Sequence, residues 1–361
     1  MLTLDSRIAV LLHEGIRGTQ GKTGLALLRY RPDTIAVVID HQCAGEFLST
    51  LTGTSCNAPI VASVSEALAY QPNVLAIGIA PSGGALPDAW LTELEQATAA
   101  GLSIMNGLHT QMSAIPQLRE RLRAGQWIWD IRQEPAGLKV GSGAARSLSC
   151  LRVLTVGTDM GVGKMATTLE LDRVAQKRGM RSKFLGTGQA GIMIAGDGIP
   201  LDAIRIDFAA GAVEQLVMRY GQDHEVLLIE GQGSLMNPAS TATLPLIRGS
   251  QPTHLILVHR AGQTHIRTFP DVPIPSLQKV IHVYETVAAA GGSFAPTPVV
   301  GVALNTAHLD EDAARTAIAH AHQETGLPCT DPVRFGADLL LDSILSPINK
   351  PRVIASKLEI K

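Results

Sequence analysis

Short apolar runs recur along this chain, and stretches whose apolar positions have helical spacing follow them. In the first part of the chain the apolar runs predict strands, and the stretches between them predict helices. The predicted strands are Ile8–Leu12, Thr34–Asp40, Pro59–Val61, Val74–Ile79 and Leu102–Met105. The predicted helices are Leu25–Tyr30, Val64–Ala69, Ala89–Ala99 and Ile115–Ala124. Strands and helices that alternate at these distances indicate a parallel, doubly wound sheet.

A second alternating set begins at Leu151, after a Gly- and Ser-rich stretch, Pro135 to Ser149, that we interpret as a linker. Its predicted strands are Arg152–Val156, Lys183–Leu185, Val226–Ile229, His254–Val258 and Val299–Leu304. The 361 residues are enough for two domains, each with its own core. We therefore predict an α/β protein with a Rossmann-like domain at residues 1–145 and a second parallel-sheet domain at residues 146–361.

Composition narrows the class of partner. The chain is 45% hydrophobic and 17% charged, which is too apolar for disorder, and its net charge of -2 predicts no nucleic-acid partner. No apolar run approaches the roughly 20 residues that span a bilayer, and Met1–Asp5 has no signal-peptide pattern. The four cysteines are far apart: Cys43, Cys56, Cys150 and Cys329. We expect a cytoplasmic protein with reduced thiols that acts on a small molecule away from membranes. We also expect a homo-oligomer, and the apolar Leu244–Ile247 suits either an interface or a buried strand.

The motif with the clearest chemistry lies between the predicted strand that ends at Val156 and an apolar-periodic stretch from Leu169 to Val174. A glycine-rich turn ending in Gly-Lys joins the two. In such a strand–loop–helix unit, backbone N–H groups and the helix N-terminus bind phosphate, and the lysine supplies the counter-charge. The candidate cofactor-binding residues are Gly157, Thr158, Asp159, Gly161, Gly163 and Lys164.

Met165 occupies the position where nucleotide hydrolases have a Ser or Thr that binds magnesium. The loop is therefore expected to bind phosphates without organising a magnesium-bound γ-phosphate, which favours coenzyme A over ATP turnover. Three other segments, Gly186–Gln189, Glu230–Gly233 and Asn305, each follow a predicted strand. Ligands bind at the carboxyl ends of parallel strands, so these segments should converge with the loop on one crevice.

A second glycine-rich turn follows the first predicted strand, with Gly15, Gly18, Gly21 and Gly24 three residues apart. This spacing fits either a Rossmann-like phosphate turn or close packing of a helix on a strand. Asp40, at the end of the next strand, is where a ribose-binding acid would lie. The turn is as suitable for coenzyme A as for a nicotinamide cofactor. Its candidate cofactor-binding residues are Gly18, Gly21, Lys22 and Thr23.

The Gly157–Lys164 loop has five residues between Gly157 and Gly163, one more than the common pattern, and so resembles dethiobiotin synthetase. Lys183–Gln189 and Leu227–Ser234 are similar to later segments of that family. The resemblance implies a P-loop NTPase-like, dethiobiotin synthetase-like second domain. It further implies that Asp207 and Glu230 are magnesium ligands, if magnesium is used, and that Asn305 contacts adenine. Thr167 or Thr168 would then replace the missing hydroxyl.

A longer match covers nearly the whole chain. It resembles the DgcN-type family, formerly a domain of unknown function and now associated with acetyl-CoA-dependent N-acetylation of D-glutamate. The matching segments are Arg29–Tyr30, Thr187–Met193, Asp207–Glu214, Ile229–Leu235, Gly249–Pro252 and Gly326–Pro328. The family also has a Lys-Thr pair matched by Lys22 and Thr23, and it replaces the Ser or Thr after the loop lysine. It commonly has His-Pro-Ala after the serine of this segment, where this chain has Asn237 before Pro238.

Three functions follow from these patterns and resemblances. The first is a CoA-dependent N-acyltransferase, for which the family resemblance implies D-glutamate as acceptor and acetyl-CoA as cofactor. Its candidate catalytic residues are Lys164, Glu230 and Gln189, with Glu230 as the base and the amides of Gly188 or Gly231 as oxyanion donors. The second is an ATP- and magnesium-dependent synthetase. The third is a non-catalytic nucleotide or CoA sensor.

Overall fold

The computed structural model describes residues 5–80 and 86–347 of the chain. Its first strands are β1 (Ile8–Leu11), β2 (Ile35–Ile39), β3 (Ile60–Val61), β4 (Val74–Ile77), β5 (Ser103–Asn106) and β6 (Ile128–Asp130). The helices among them are α1 (Lys22–Tyr30), α2 (Leu48–Thr52), α3 (Val64–Ala67), α4 (Asp88–Ala100) and α5 (Pro116–Arg119). Within the described residues the six strands form a parallel sheet in the order β3-β2-β1-β4-β5-β6. This is the Rossmann-like sheet that the sequence predicted.

The second half contains another parallel sheet. Its strands are β7 (Leu151–Gly157), β8 (Ser182–Leu185), β9 (Val226–Ile229), β10 (His254–Arg260), β13 (Val299–Asn305) and β14 (Cys329–Thr330). In the described chain their order is β14-β13-β10-β7-β9-β8. A hairpin, β11 (His265–Ile266) and β12 (Phe269–Pro273), stands apart from the sheet. The helices are α6 (Lys164–Lys177), α7 (Gln189–Ala195), α8 (Ile206–Tyr220), α9 (Thr243–Ser250), α10 (Leu277–Ala288), α11 (Glu311–Thr325) and α12 (Asp338–Leu345).

Local predictions fail where the apolar pattern is short. The helix predicted at Ile115–Ala124 is reduced to the single turn α5, because the backbone after Arg119 makes bonds three residues back, from Arg121 N to Leu118 O and from Leu122 N to Arg119 O, each at 3.3 Å. Strand β6 was not predicted, since its three residues are only half-buried. Leu244–Ile247 is part of helix α9 and not a strand.

The predicted linker packs tightly against helix α8. The carboxylate of Glu214 accepts hydrogen bonds from Ser142 N (3.1 Å), Ser142 Oγ (2.8 Å) and Ala144 N (2.7 Å). A Cβ added to Gly211 would lie 1.7 Å from the carbonyl oxygen of Lys139. The Gly- and Ser-rich composition therefore serves close docking rather than freedom of the chain.

The two sheets share a buried interface. Helix α7 of the second half contributes Ile192, Met193 and Ile194 to the hydrophobic cluster that contains strands β1, β2, β4 and β5. Arg205 pairs with Glu134 across the same boundary. The carboxyl edge of the first sheet therefore faces the second domain, which brings the two glycine-rich turns toward one crevice. None of the helices in residues 5–80 and 86–347 has both the length and the apolar character needed to cross a membrane.

Candidate functional site

The loop between β7 and α6 has the conformation of an anion-binding turn. Gly161 (φ +70°) and Gly163 (φ +117°) lie in the left-handed region, which glycine enters without steric cost. Val162 between them is buried and fixes the loop to the core. Helix α6 begins at Lys164, so its first N–H groups open toward the loop. Backbone in this arrangement forms a nest for phosphate oxygens.

Lys164 is a buried cation beneath this loop, with 6% of its surface exposed. Its Nζ donates to the carbonyl oxygen of Asp159 at 2.9 Å, and in the described chain it forms no ion pair. Burial, together with the charge of Lys22, lowers the pKa of Lys164 to about 8 against the opposing effect of Asp159 and Glu230. A bound anion would supply the counter-charge that this ammonium lacks.

Asp159 anchors the loop rather than presenting its side chain to a ligand. Its buried carboxylate accepts hydrogen bonds from four donors: Met160 N, Asn237 Nδ2, Gln263 Nε2 and Arg267 N, at 2.7 to 2.9 Å. Burial opposes ionisation, but these bonds hold the pKa of Asp159 below its usual value. Asn237, at the position where the resembling family commonly has histidine, is one of the anchors.

Other loop groups are also turned into the protein. Thr158 Oγ1 lies 2.8 Å from His259 Nδ1, and burial lowers the pKa of that histidine to about 4. The carbonyl oxygen of Gly157 accepts from Ser234 Oγ and from Tyr284 OH, each at 2.7 Å. The side chain of Thr158 is thus occupied, and the loop can offer a ligand its backbone. The sequence did not predict Tyr284, Gln263 or Arg267 at this site, since no local pattern joins them to the loop.

Glu230 follows β9 and is 4% exposed. Its Oε2 accepts from Thr187 N (2.9 Å) and Gly188 N (3.2 Å), while Oε1 lies 3.4 Å from Gln232 Nε2. Burial raises the pKa of Glu230 to about 7, against the opposing effects of these amides and of the two lysines, Lys22 and Lys164. A carboxylate with that pKa can exchange a proton near neutral pH, as a general base must.

The amides predicted as oxyanion donors are not free. The N–H of Gly188 is bound to Glu230, and the N–H of Gly231 donates to Thr155 Oγ1 at 2.9 Å. That prediction was wrong because both segments use their amides to hold buried side chains at the strand ends.

Asp207 is exposed in the first turn of α8, whereas Glu230 is buried, and the role of these two carboxylates as magnesium ligands stays a prediction. Thr168 Oγ1 donates to the carbonyl oxygen of Lys164 at 2.7 Å, so its hydroxyl is committed to its own helix. Thr167 lies on the wall of a cavity beside the loop.

Gln189 starts helix α7 and lies at the interface between the two sheets. A Cβ added to Gly107, after β5, would be 3.2 Å from Gln189 Cβ and 3.0 Å from Met193 Cε. The structure therefore places this predicted catalytic residue where it packs against the first domain.

A cavity of about 470 Å³ lies beside the phosphate loop and is built from both halves of the chain. Helix α1 contributes Leu25 and Tyr30, α6 contributes Met165, and Asn305 closes the wall next to Gly163. Asn305 Nδ2 donates to the carbonyl oxygen of Val162 at 3.1 Å. The volume is in the range of small-molecule and cofactor pockets. Asn305 thus joins the cavity to the loop.

The first glycine-rich turn has a different construction. A Cβ on Gly18 would lie 2.2 Å from the carbonyl oxygen of Glu14, and a Cβ on Gly21 would lie 2.1 Å from that of Gly15. These glycines allow close backbone approach and have ordinary φ values, since none is in the left-handed region. Thr23 is buried behind the turn. The turn is folded onto itself, and its glycines pack backbone on backbone.

Asp40 does not have the predicted ribose-binding geometry. It is fully buried, and its carboxylate accepts from Glu14 N (3.3 Å), Ile16 N (3.4 Å) and Gln42 N (3.0 Å). Asp40 therefore braces the turn. With His13 and His41 it forms the one group of three potential metal-ligating side chains in the described segments. The two Nδ1 atoms of these histidines lie 3.0 Å apart, within hydrogen-bonding distance of each other.

Lys22 connects this turn to the phosphate loop. It is exposed at the start of α1, and its charge lowers the pKa of both Lys164 and Glu230. Of the predicted site, Lys22, Lys164 and Glu230 are thus linked by the electrostatic effects of their charges.

Fold and site together define a two-domain α/β protein whose second domain carries a phosphate-binding loop. Family models agree: residues 41–134 match the Rossmann-like domain of unknown function DUF1611_N, and residues 139–341 match the P-loop domain DUF1611_C. The chain belongs to the DUF1611 family. Its P-loop domain indicates that it binds a nucleotide or a nucleotide-containing ligand.

Similar proteins have been characterised or solved. The chain is 36% identical over 326 residues to a D-glutamate N-acetyltransferase from Tritonibacter scottomollicae, covering 90% of this chain and 93% of that protein. It is 33% identical to a D-glutamate N-acetyltransferase from a Pseudoalteromonas species, covering 84% and 90%. A crystal structure of a DUF1611 family protein from Anabaena variabilis has 64% identity and a TM-score of 0.91, covering 94% of this chain and 99% of that one.

Proposed function

We propose that this protein transfers the acetyl group of acetyl-CoA to the amino group of D-glutamate. The proposed chemistry rests on Glu230, a buried carboxylate whose pKa is raised to about 7. The charges of Lys164 and Lys22 act on this carboxylate. The names of the two relatives support the choice of acetyl donor chemistry and of acceptor.

The phosphate loop and the adjacent cavity would hold the adenine nucleotide part of CoA. Lys164 would neutralise the diphosphate, and the backbone from Gly157 to Gly163 would donate hydrogen bonds to its oxygens. The adenine ring would lie near Asn305. Met165 lines this cavity in place of a magnesium-binding hydroxyl, and the hydroxyl of Thr168 is bonded to its own helix. Both features favour a phosphorylated ligand that needs no metal.

Lys22 is the proposed partner for a carboxylate of the acceptor. It has no ion pair with any described residue, and its charge acts on Glu230 from the first domain. The acceptor would then lie between Lys22 and Glu230, with its amine directed at the thioester. An acidic amino acid suits such a site because Lys22 supplies a cation that no described carboxylate pairs with.

In the proposed reaction the neutral amine attacks the thioester carbonyl carbon, forming the C–N bond. Glu230 accepts the proton released from nitrogen. The tetrahedral intermediate collapses with cleavage of the C–S bond, and the proton passes to the departing CoA thiolate. The products are the N-acetyl amino acid and free CoA, so atoms and charges balance. Glu230 must be ionised at the start of each turnover.

The direct test is acetyl transfer measured as release of free CoA thiol and as the N-acetyl product by mass spectrometry. We expect turnover with D-glutamate that does not change when EDTA is added. CoA at 100-fold its Kd should stabilise the fold by about 2.7 kcal/mol in thermal unfolding. Absence of product and of CoA binding would refute the proposal.

The same experiment separates the other two functions. An ATP-dependent synthetase predicts stabilisation by magnesium-ATP, nucleotide hydrolysis coupled to an acceptor, and loss of both with EDTA. A sensor predicts saturable binding of CoA or ATP that is sensitive to Lys164→Ala, without product from any acceptor tested.

A further inference from the structure

The hairpin β11–β12 lies against the phosphate loop and is fastened to it by the loop's own aspartate. Asp159 Oδ2 accepts from Arg267 N at 2.9 Å and from Gln263 Nε2 at 2.7 Å. Asp159 Oδ1 meanwhile accepts from Asn237 Nδ2. The backbone of Arg267 is therefore fixed relative to the loop, whatever its side chain does.

The guanidinium of Arg267 lies over the tip of the loop. A Cβ added to Gly161 would be 3.4 Å from Arg267 Nη2 and 3.9 Å from Nη1. The side chain is exposed, and it makes no hydrogen bond or ion pair with the described residues, in contrast to most arginines of the second domain. The structure thus holds an uncompensated cation directly above the left-handed turn of the loop.

An unpaired guanidinium beside an anion-binding nest has an evident chemical partner. Its planar fork of N–H donors matches two oxygens of a phosphate, and such charge-assisted bonds are about twice as strong as neutral ones. Lys164 approaches from the buried side of the loop, whereas Arg267 approaches from its exposed side. A diphosphate in the loop would lie between the two cations.

We propose that Arg267 binds the diphosphate of the ligand on the exposed face of the loop and positions it there. The inference rests on the proposed function only in requiring a phosphorylated ligand in this loop. The recognised chemistry is a nucleotide diphosphate, which coenzyme A and adenosine nucleotides share. The hairpin acts as the fixed support for this contact, and Asp159 couples it to the loop.

The test is calorimetric titration with CoA and with inorganic pyrophosphate on Arg267→Ala, Arg267→Lys and wild-type protein. We expect Arg267→Ala to weaken both ligands by the same factor, about tenfold, because both present a diphosphate. Arg267→Lys should recover part of the loss, since it restores charge without the fork. In steady-state acetyl transfer, the KM for acetyl-CoA should rise and kcat should change little.

Two controls keep the result interpretable. Arg315→Ala removes a surface arginine paired with Glu311 on α11, and Thr268→Ala alters the neighbouring hairpin residue; both should leave the affinities unchanged. Thermal unfolding of each variant checks the fold, and Arg267→Gln replaces Arg267→Ala if the latter does not fold. Unchanged affinity for both ligands in the Arg267 variants, with binding lost in Lys164→Ala, would overturn this inference and leave the proposed function standing. A wild-type protein that binds neither ligand would overturn both.

Discussion

The two glycine-rich turns of this molecule occupy equivalent places, each between the first strand of a parallel sheet and the following helix. In the second domain, Gly161 and Gly163 have positive φ values, and the loop opens around a buried lysine. In the first domain, Gly18 and Gly21 have no room for a Cβ beside neighbouring carbonyl oxygens, and the lysine that follows is exposed. Similar glycine-rich turns therefore form an anion-binding nest in the second domain and a closely packed backbone turn in the first.

The two turns differ in the groups that hydrogen-bond to the carboxylate beside each of them, which is Asp159 in the second domain and Asp40 in the first. Asp159 accepts one loop amide, Met160 N, and otherwise fastens the phosphate loop to distant segments through Asn237 Nδ2, Gln263 Nε2 and Arg267 N. Asp40 instead accepts the amides of Glu14 and Ile16, the groups that a phosphate would need. A glycine turn binds anions only when its N–H groups are left unused by the protein. We infer that the phosphate loop holds the cofactor and that the first turn contributes a single charge, Lys22.

The largest effect should come from Glu230, on the phosphate-loop side. Glu230→Gln removes the base, and we expect acetyl transfer to fall by about 10²- to 10⁴-fold. In the wild type, kcat/KM should rise with pH and show an inflection at about 7, because the carboxylate must be ionised. Rates measured between pH 5.5 and 8.5 check this, and the variant should lose that inflection.

Glu225→Gln is the matched control, since Glu225 is a surface carboxylate beside Arg181. Stability gives a second readout for Glu230. Its folded pKa is raised, so the wild type loses stability relative to Glu230→Gln as the pH rises from about 4.5 through 7. A difference in stability between the wild type and Glu230→Gln that did not change with pH would contradict the raised pKa of Glu230.

The next effect should come from Lys164. Lys164→Met is expected to weaken CoA binding by about 100-fold, because a charge-assisted phosphate contact in a buried site is lost. The variant should nevertheless unfold at a higher temperature than the wild type at pH 7, since an unpaired buried ammonium is costly. Titration calorimetry measures the affinity for CoA, and thermal unfolding measures the stability of the variant and the wild type.

The pH dependence has a definite sign here as well. The folded pKa of Lys164 is lowered to about 8, so wild-type stability should rise between pH 8 and about 10.5 and approach that of the variant. Lys177→Met, at the exposed end of the same helix, should change neither affinity nor stability appreciably. A less stable Lys164→Met at pH 7 would mean that the ammonium has a partner the geometry does not reveal.

Substitution of one glycine in each turn tests the comparison directly. Gly163→Ala and Gly18→Ala should each destabilise by about 1–3 kcal/mol, the first through φ strain and the second through a 2.2 Å contact with Glu14 O. CoA affinity should fall only in Gly163→Ala. Chemical unfolding and calorimetry at a temperature where both variants are folded supply the measurements.

Gly179→Ala measures the destabilisation that comes from a positive φ alone, since Gly179 has a φ of +77° and nothing lies within 4 Å of an added Cβ. Equal loss of CoA affinity in Gly18→Ala and Gly163→Ala would show that both turns bind the same ligand, and the contrast drawn between them would be wrong.

The smallest effect should come from Lys22. Lys22→Ala is expected to raise the KM for D-glutamate by roughly five- to tenfold, the value of one partly solvated charge contact, with little change in the KM for acetyl-CoA. Lys22→Arg should bring the KM for D-glutamate part of the way back to the wild-type value. Lys279→Ala on α10 is the control and should leave this KM unchanged. A rise in the KM for acetyl-CoA alone would assign Lys22 to the cofactor.

Much of this fold was present in the local pattern. Each strand of the second sheet that was predicted lies within two residues of its observed ends, because buried parallel strands are continuous apolar runs. The phosphate loop was equally clear, since its glycines, lysine and flanking elements are contiguous in sequence. The predicted oxyanion donors failed for the opposite reason. Whether Gly188 N is free, or whether Asp207 reaches Glu230, depends on residues far away in the chain.

The sequence by itself determined two parallel sheets, a phosphate-binding loop and the residue types gathered at its strand ends. Only the tertiary structure decided which of the two similar turns keeps most of its amides free, that Asp159 and Asp40 each hydrogen-bond within the protein, and that Arg267 lies beside Gly161 of the loop. It also decided the charge states, because the raised pKa of Glu230 and the lowered pKa of Lys164 arise from burial. Secondary structure follows from the order of neighbouring residues, whereas desolvation and hydrogen-bond competition depend on which distant groups the fold packs together.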